Sequence, residues 1–234
     1  MKKSQTNPLY NMEIEGEEAK LKINKAYCIG YSGRDKEKTW MHIKELTEIG
    51  VPEPNEVPSL YPVGVRTVTQ FESIEVIGDQ TSGEAEIVLI FGDSLREAYI
   101  TVGSDHTDRS LETVDINKSK QVCDKPFAAK AWKIDSILQY WDQLVLSSEM
   151  MVNGQWCKYQ ENTISSIISL EEIKDFLEKK QVALTNSIVF SGTVPLLDGF
   201  KYGERFRAAL FDPITNDTIS IEYEVTDIAV KEEA

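Results

Sequence analysis

Two glutamates at the start of an apolar run carry the first chemical signal in this chain. In Gly83-Glu84-Ala85-Glu86-Ile87-Val88-Leu89-Ile90-Phe91-Gly92 the apolar residues read as a strand buried on both faces after its first positions. Side chains two apart on a strand share a face, so Glu84 and Glu86 point the same way, followed there by Val88 and Ile90. Two carboxylates at the mouth of a buried sheet repel each other and lose solvation unless a cation sits between them. A hard divalent cation with oxygen ligands meets that need. The plainer alternative is a strand end whose glutamates reach water.

Further reactive side chains lie on both sides of this strand. The strand Ala98 to Gly103 runs directly into Ser104-Asp105-His106-Thr107-Asp108-Arg109, and a dense polar cluster at a strand end is where a rigid scaffold presents chemistry. Asp105 offers a third carboxylate for the same cation, and Arg109 a fork that pairs with a substrate carboxylate. The alternative is a capping turn, with Asp105 on a short helix and Arg109 in an ordinary ion pair. Lys118 and Lys120, in what reads as a loop, either face the carboxylates or stay solvated. Upstream, His42 and Glu45 stand three apart on a helical stretch and are neighbours on its surface. A carboxylate beside an imidazole orients it and raises its pKa, which suits a general base; the same spacing also describes a surface pair.

The elements that position these groups follow from hydrophobic periodicity. A short strand around Met12 to Glu15 and a second from Leu21 to Ile29 precede a helix from Asp35 to Ile49, with Trp40, Ile43, Leu46 and Ile49 at helical spacing. Gly50, Pro52 and Pro54 end that helix, and Val51 to Pro62 reads as irregular. Thr67 to Ile77 holds a strand. Ile134 to Leu146 reads as an amphipathic helix, and Asn153-Gly154 as a type I′ hairpin turn. Ser169 and Glu172 form a capping box for a helix reaching Lys180. Strands follow at Ile188 to Phe190, Arg205 to Phe211 and Thr218 to Val225.

Composition narrows the class of function. The 234 residues are 41% hydrophobic and 27% charged, an ordinary globular balance. A net charge of −14 argues against nucleic acid and against anionic membranes as partners, although a local site can still accept an anion. No apolar run approaches the roughly 20 residues of a membrane helix. The polar sequence after Met1-Lys2-Lys3 lacks the apolar core of a signal peptide. Scattered Cys28, Cys123 and Cys157 without CxxC spacing read as reduced thiols, so the expected location is cytoplasmic. Neither a structural zinc site nor a cysteine nucleophile finds supporting spacing among them.

In their order along the chain these pieces resemble the fumarylacetoacetate hydrolase superfamily over roughly residues 25–225. The likeness rests on Glu84-x-Glu86 before an apolar strand, Asp105-x-Thr107-x-Arg109, the hairpin at Val152-Asn153-Gly154 with Asn162-Thr163 after it, and Ser191-Gly192-Thr193. The resemblance implies a mixed β fold with some α, the fumarylacetoacetase C-terminal-like mixed β-sheet roll, commonly a homodimer. It divides the chain into an N-terminal polar strand segment, 1–24, and a catalytic domain, 25–234. It further implies Mg2+ or Mn2+ held by Glu84, Glu86 and Asp105, a lysine near the metal at Lys120 or Lys118 with Lys120 preferred, and His42 with Glu45 as the base. Thr193 takes the place of the family's turn threonine, and Tyr31 and Arg109 fall among the substrate-binding positions.

The sequence also departs from the family pattern. An insertion separates Tyr31 from His42, the segment between Glu86 and Asp105 is short, and Thr193-Val194-Pro195 displaces a proline by one. A glutamine common after the hairpin falls near Lys158 or Gln160. The implied function is metal-dependent chemistry on a small anionic 2-oxo acid or acylpyruvate, with C–C hydrolysis through a stabilised enolate. Decarboxylation, hydration or isomerisation on the same scaffold is the alternative, and a metabolite-binding protein without catalysis is a third.

Overall fold

The computed structural model describes residues 8–94 and 96–230. Among the longer elements, β1 (Leu9–Ile14) and β2 (Glu17–Lys22) form a hairpin closed by Glu15 and Gly16, both at positive φ. β3 (Lys25–Gly30), α1 (Lys36–Glu48), β4 (Ser59–Val63) and β5 (Ser73–Val76) follow. Next come β6 (Ala85–Phe91), β7 (Ala98–Ser104) and two short helices, α2 (Arg109–Glu112) and α3 (Ile116–Gln121). The second half holds β8 (Lys130–Lys133), β9 (Val145–Val152), β10 (Gln155–Thr163), α4 (Leu170–Lys179) and β11 (Ser187–Thr193). β12 (Arg205–Asp212) and β13 (Asp217–Asp227) close the chain's strands.

Two large sheets result. One is an eight-stranded mixed sheet in the order β2-β1-β8-β7-β6-β11-β3-β4, and the other a five-stranded sheet in the order β10-β9-β12-β13-β5. β6 sits inside the first sheet, antiparallel to both β7 and β11, and every one of its residues is buried. Its alternate side chains enter two different cores. Ala85, Ile87, Leu89 and Phe91 pack with Leu146, Phe206 and Leu210 of the second sheet. Val88 and Ile90 pack with Met12, Ala26, Cys28 and Ile188. A strand between two cores must be apolar on both faces, which is why the run at 87–91 contains no polar residue. The β1–β2 hairpin extends this sheet through parallel pairing of Glu13 and Ile14 with Lys130 and Ala131, and Met12, Ile14, Leu21 and Ile23 complete the second core.

Local signals place several elements as expected. Asp35 caps α1 by accepting from Lys38 N at 3.1 Å. Asn153 and Gly154, at φ 52° and 75°, turn the β9–β10 hairpin. Ser169 and Glu172 make the reciprocal capping box at α4.

Three local expectations are corrected. Lys118 and Lys120 are on α3, not in a loop; Asp115 caps this six-residue helix, which is too short to show a period. Ile134 to Leu146 is not one helix but a turn of α-helix, Ile134–Ile137, then a 3-10 segment, Leu138–Gln143, broken at Tyr140. Val145 and Leu146 belong to β9, because pairing with β10 and β12 outweighs their place in a helical pattern. On α1 the buried residues are Thr39, Ile43 and Leu46, while Trp40 and Ile49 are exposed.

Candidate metal and substrate site

The ladder between β6 and β7 brings the carboxylates together. Glu86 pairs with Gly103 and Ala85 with Ser104, and Asp105 N continues the ladder to Glu84 O at 3.0 Å. Asp105 therefore lies beside Glu84, one step along the sheet from Glu86. Gly103 leaves room at this face, since a Cβ there would meet Phe190, Val88 and the Pro126 carbonyl at 2.7–2.9 Å. On the other side Glu86 pairs with Thr193 at the end of β11, and Gly192 N donates to Glu86 Oε2 at 2.8 Å. Gly192 has φ +149°, a conformation that side chains rarely adopt. A Cβ on it would also meet Ser32 and Ile167.

Each carboxylate has a different partner. Asp105 Oδ2 accepts from Lys120 Nζ at 2.5 Å, and Lys125 Nζ stands 3.5 Å from Oδ1. Burial disfavours the Asp105 charge, but the two lysines outweigh it and hold its pKa at about 2. Lys120 is raised well above its usual value because Asp105 outweighs its own burial. Lys125, fully buried, donates to the carbonyls of His106, Cys123 and Lys120. Glu84 Oε2 accepts from Arg109 Nη2 at 3.3 Å.

Glu86 is 3% exposed, and its one hydrogen-bond donor is a backbone amide. Its pKa is pushed well above the carboxylate range, first by burial and then by the charges of Asp105 and Glu84. Such a group needs a counter-charge to ionise. Among the described residues no three His, Cys, Asp or Glu side chains converge as a ready metal cluster. The donor chemistry nonetheless fits a hard divalent ion: the charges of Asp105 and Glu84 both act against ionisation of the buried Glu86, and each of those two is itself turned onto a cation.

Arg109 is more confined than the sequence suggested. Nε donates to Ser82 Oγ at 2.8 Å and Nη1 to Glu112 Oε2 at 3.0 Å, while the Phe200 ring centroid lies 4.4 Å from Cζ. With Glu84 on Nη2, all three nitrogens of this buried guanidinium are bonded, so it acts on Glu84 rather than as a free fork. Asp108, not Asp105, caps the short helix. His106 lies behind the cluster, its Nδ1 2.9 Å from Tyr223 OH and its Nε2 2.9 Å from Thr81 Oγ1. Burial first, then Lys125 and Arg109, lowers its pKa, so it stays neutral.

Glu84 and Glu86 open into a cavity of about 990 Å³ whose wall also includes Tyr31, His42, Glu45, Arg109, Lys120 and Thr193. Eight of the nine site residues expected from the sequence thus border it, and Asp105, fully buried, is bonded to one of them, Lys120. His42 Nδ1 lies 3.6 Å from Glu45 Oε2, and both side chains are more than half exposed on α1. Tyr31 has φ +57°, strain of the kind held at functional positions. Lys118 is turned away, exposed and paired with Asp115.

Reading from sequence missed Glu112, Lys125, Tyr61 and Phe200. Only Glu112, three residues after Arg109, left a spacing signal. Gln160 lies on β10: Oε1 accepts from Ala85 N and Ser148 Oγ, and Nε2 donates to Thr193 Oγ1 and the Val194 carbonyl. It fixes the turn instead of facing the cavity. Cys28 and Cys123 are buried with raised pKa, burial being the main cause, which disfavours a thiolate at either.

Solved structures share this architecture. A fumarylpyruvate hydrolase from Pseudomonas aeruginosa in complex with Mn2+ and pyruvate is 16% identical, with 96% of this chain and 98% of that one covered at a TM-score of 0.62. A 2-keto-3-deoxy-D-arabinonate dehydratase complexed with magnesium and 2,5-dioxopentanoate is 14% identical, with 88% and 74% covered at 0.61. Cg1458 with inhibitor is 17% identical, with 88% and 77% covered at 0.65. The chain has the fold of the fumarylacetoacetate hydrolase superfamily, with a carboxylate cluster at the end of its central hairpin. By sequence it belongs to the family described as Protein of unknown function (DUF2848), whose model matches residues 29–223. No curated protein sequence matches it. Among the described residues no helix is long and apolar enough to cross a membrane.

Proposed function

We propose that this protein is a metal-dependent enzyme acting on a 2-oxo acid or acylpyruvate-like substrate, with Mg2+ or Mn2+ held by Glu84, Glu86 and Asp105. The observation that carries the reading is Glu86: a buried carboxylate set against two others, with no cationic side chain among the described residues bonded to it. The occurrence of Mn2+ with pyruvate and of magnesium with a dioxo acid in structures of this fold supports the choice of ion and ligand. When bound, the ion supplies a template and Lewis acid for a carboxylate-oxo pair.

The chain's own residues do the remaining work. Lys120 and Lys125 hold Asp105 ionised and in place. Arg109 and Glu112 fix Glu84, and Gln160 fixes Thr193 at the cavity wall. In the hydrolytic reaction His42, with Glu45 beside Nδ1, takes a proton from water through Nε2. The hydroxide adds to the acyl carbon and the C–C bond breaks. Its electron pair passes to the oxo-acid fragment as an enolate, and the proton returns to that carbon. The cationic ammonium of Lys120 sits where it offsets the growing negative charge.

The exposure of His42 and Glu45 favours a second reading, a decarboxylase, hydratase or isomerase, which needs the enolate but not this base. A homodimer is the expected assembly, read out by light scattering.

Thermal unfolding of chelator-treated protein tests the proposal. Mg2+ or Mn2+ should raise the melting temperature, and oxalate, a mimic of the carboxylate-oxo pair, should raise it further. No shift at millimolar metal would remove the metal site. His42→Ala should abolish hydrolysis with metal affinity nearly unchanged if the first reading holds; full activity would leave the second.

A further inference from the structure

The cavity is far larger than its charged floor requires. At about 990 Å³ it stands at the upper end of the usual range for small-molecule sites, roughly 300–1,000 Å³. A three-carbon oxo acid would leave most of it to water. Above the floor the wall is apolar. Leu46 of α1 and Ile116 of α3 are buried together with Val51, and Tyr31, Tyr61 and Phe200 pack half-buried against them. All but Val51 of these residues line the cavity. The apolar wall adjoins the charged groups directly: the Tyr61 ring centroid is 5.8 Å from Lys120 Nζ, and Phe200 covers Arg109. Gly30 keeps Tyr61 in place, because a Cβ at that position would meet its ring at 2.7 Å.

The same wall offers little to a second charge. Arg34 is bonded to both oxygens of Asp142 at 2.7 Å and to the Ile167 carbonyl. Lys38, at the mouth, faces Asp35 at 3.7 Å, which offsets its charge. The polar side is also engaged, since Ser165 and Ser166 bond the hydroxyl and carbonyl of Thr163. At the floor four carboxylates, Glu84, Glu86, Asp105 and Glu112, meet three cations, Arg109, Lys120 and Lys125. One divalent ion turns that balance to a single positive charge, which matches one carboxylate and not two.

We infer that the substrate is a monocarboxylic oxo acid carrying an apolar tail, branched or aromatic, which lies against Leu46, Tyr61, Ile116 and Phe200. The inference rests on the oxo-acid reading of the carboxylate floor. It assigns specificity to the apolar part of the α1–α3 wall, so that a dicarboxylate or a polyhydroxylated chain is discriminated against by the apolar surface of Leu46, Ile116 and Phe200.

The test is a binding series on the Mn2+-loaded protein, read by thermal shift and calorimetry: oxalate, pyruvate, 4-methyl-2-oxopentanoate, phenylpyruvate and 2-oxoglutarate. The two apolar-tailed acids should bind at least about tenfold more tightly than pyruvate and than 2-oxoglutarate. Ile116→Lys should reverse the order of phenylpyruvate and 2-oxoglutarate. Leu46→Ser, a milder change kept in case the lysine variant does not fold, should reduce the advantage of the tail severalfold. If oxalate and pyruvate bind in a metal-dependent way but a tail adds nothing, or 2-oxoglutarate binds best, the inference is overturned and the metal-site reading stands. If even oxalate fails to bind, both fall.

Discussion

At the scale of single residues, the site is a set of charges that cannot be satisfied pairwise. Asp105 has two lysines and Glu84 has Arg109, but among the described residues Glu86 has only the Gly192 amide. Glu86→Ala should therefore abolish the metal-dependent rise in melting temperature while leaving the apoprotein as stable as before or more so, because it removes a buried carboxylate. Retained metal affinity would sink the assignment. Glu112 takes one arm of Arg109. Glu112→Gln should free Arg109 to hold Glu84 more strongly and lower metal affinity about 10–100-fold, measurable by titration calorimetry. Unchanged affinity would show Arg109 to be fixed by Ser82 and Phe200 alone.

At the scale of elements, two strand ends meet at one place and a single side chain from a third strand holds them. Gln160 of β10 spans from Ala85 at the start of β6 to Thr193 and Val194 at the end of β11, and it is fully buried. Gln160→Leu fills the same space but leaves buried backbone and hydroxyl groups without partners, each costing about 1–3 kcal/mol. Urea unfolding should show that loss, and oxalate affinity should fall with it; an unchanged midpoint would mean water replaces the amide. Ser169→Ala removes half of the α4 capping box and should cost about 1 kcal/mol with no effect on ligand binding. These two changes separate an element that builds the site from one that only supports the fold.

At the scale of the whole molecule, the two sheets are tied at Asp217 on β13. It accepts from Lys130 Nζ at 2.5 Å and Trp132 Nε1 at 3.0 Å, both on β8 of the other sheet. The hydrogen bond from Lys130, then that from Trp132, lowers its pKa. A depressed carboxylate contributes stability that is complete above its unfolded pKa, about 3.9, and is lost as pH falls through the lower folded value. Asp217→Asn should thus lower the melting temperature at neutral pH, with the difference from the native chain shrinking below about pH 4. A constant difference across that range would assign the effect to packing, not to charge.

The sequence by itself determined the parts whose information is local. A strand apolar on both faces, an Asn-Gly turn, a Ser-Glu capping box and a helix between Asp35 and Ile49 each depend on residues a few positions apart, and each lies where those residues put it. The three carboxylates were legible for the same reason, since Glu84 and Glu86 share a strand and Asp105 ends the next one. Tertiary structure alone decided the rest. It chose Lys120 over Lys118 because a short capped helix turns one lysine inward and the other to water. It broke the pattern at Ile134 to Leu146 because β9 needed Val145 and Leu146 for its sheet. It placed Lys125 beneath Asp105, Glu112 against Arg109, and Tyr61 and Phe200 in the cavity wall. Contacts among residues so far apart in the chain, or buried by neighbours from other strands, have no period to read. They exist only once the sheets have closed and the lost solvation of each charge is made good by a partner brought from elsewhere.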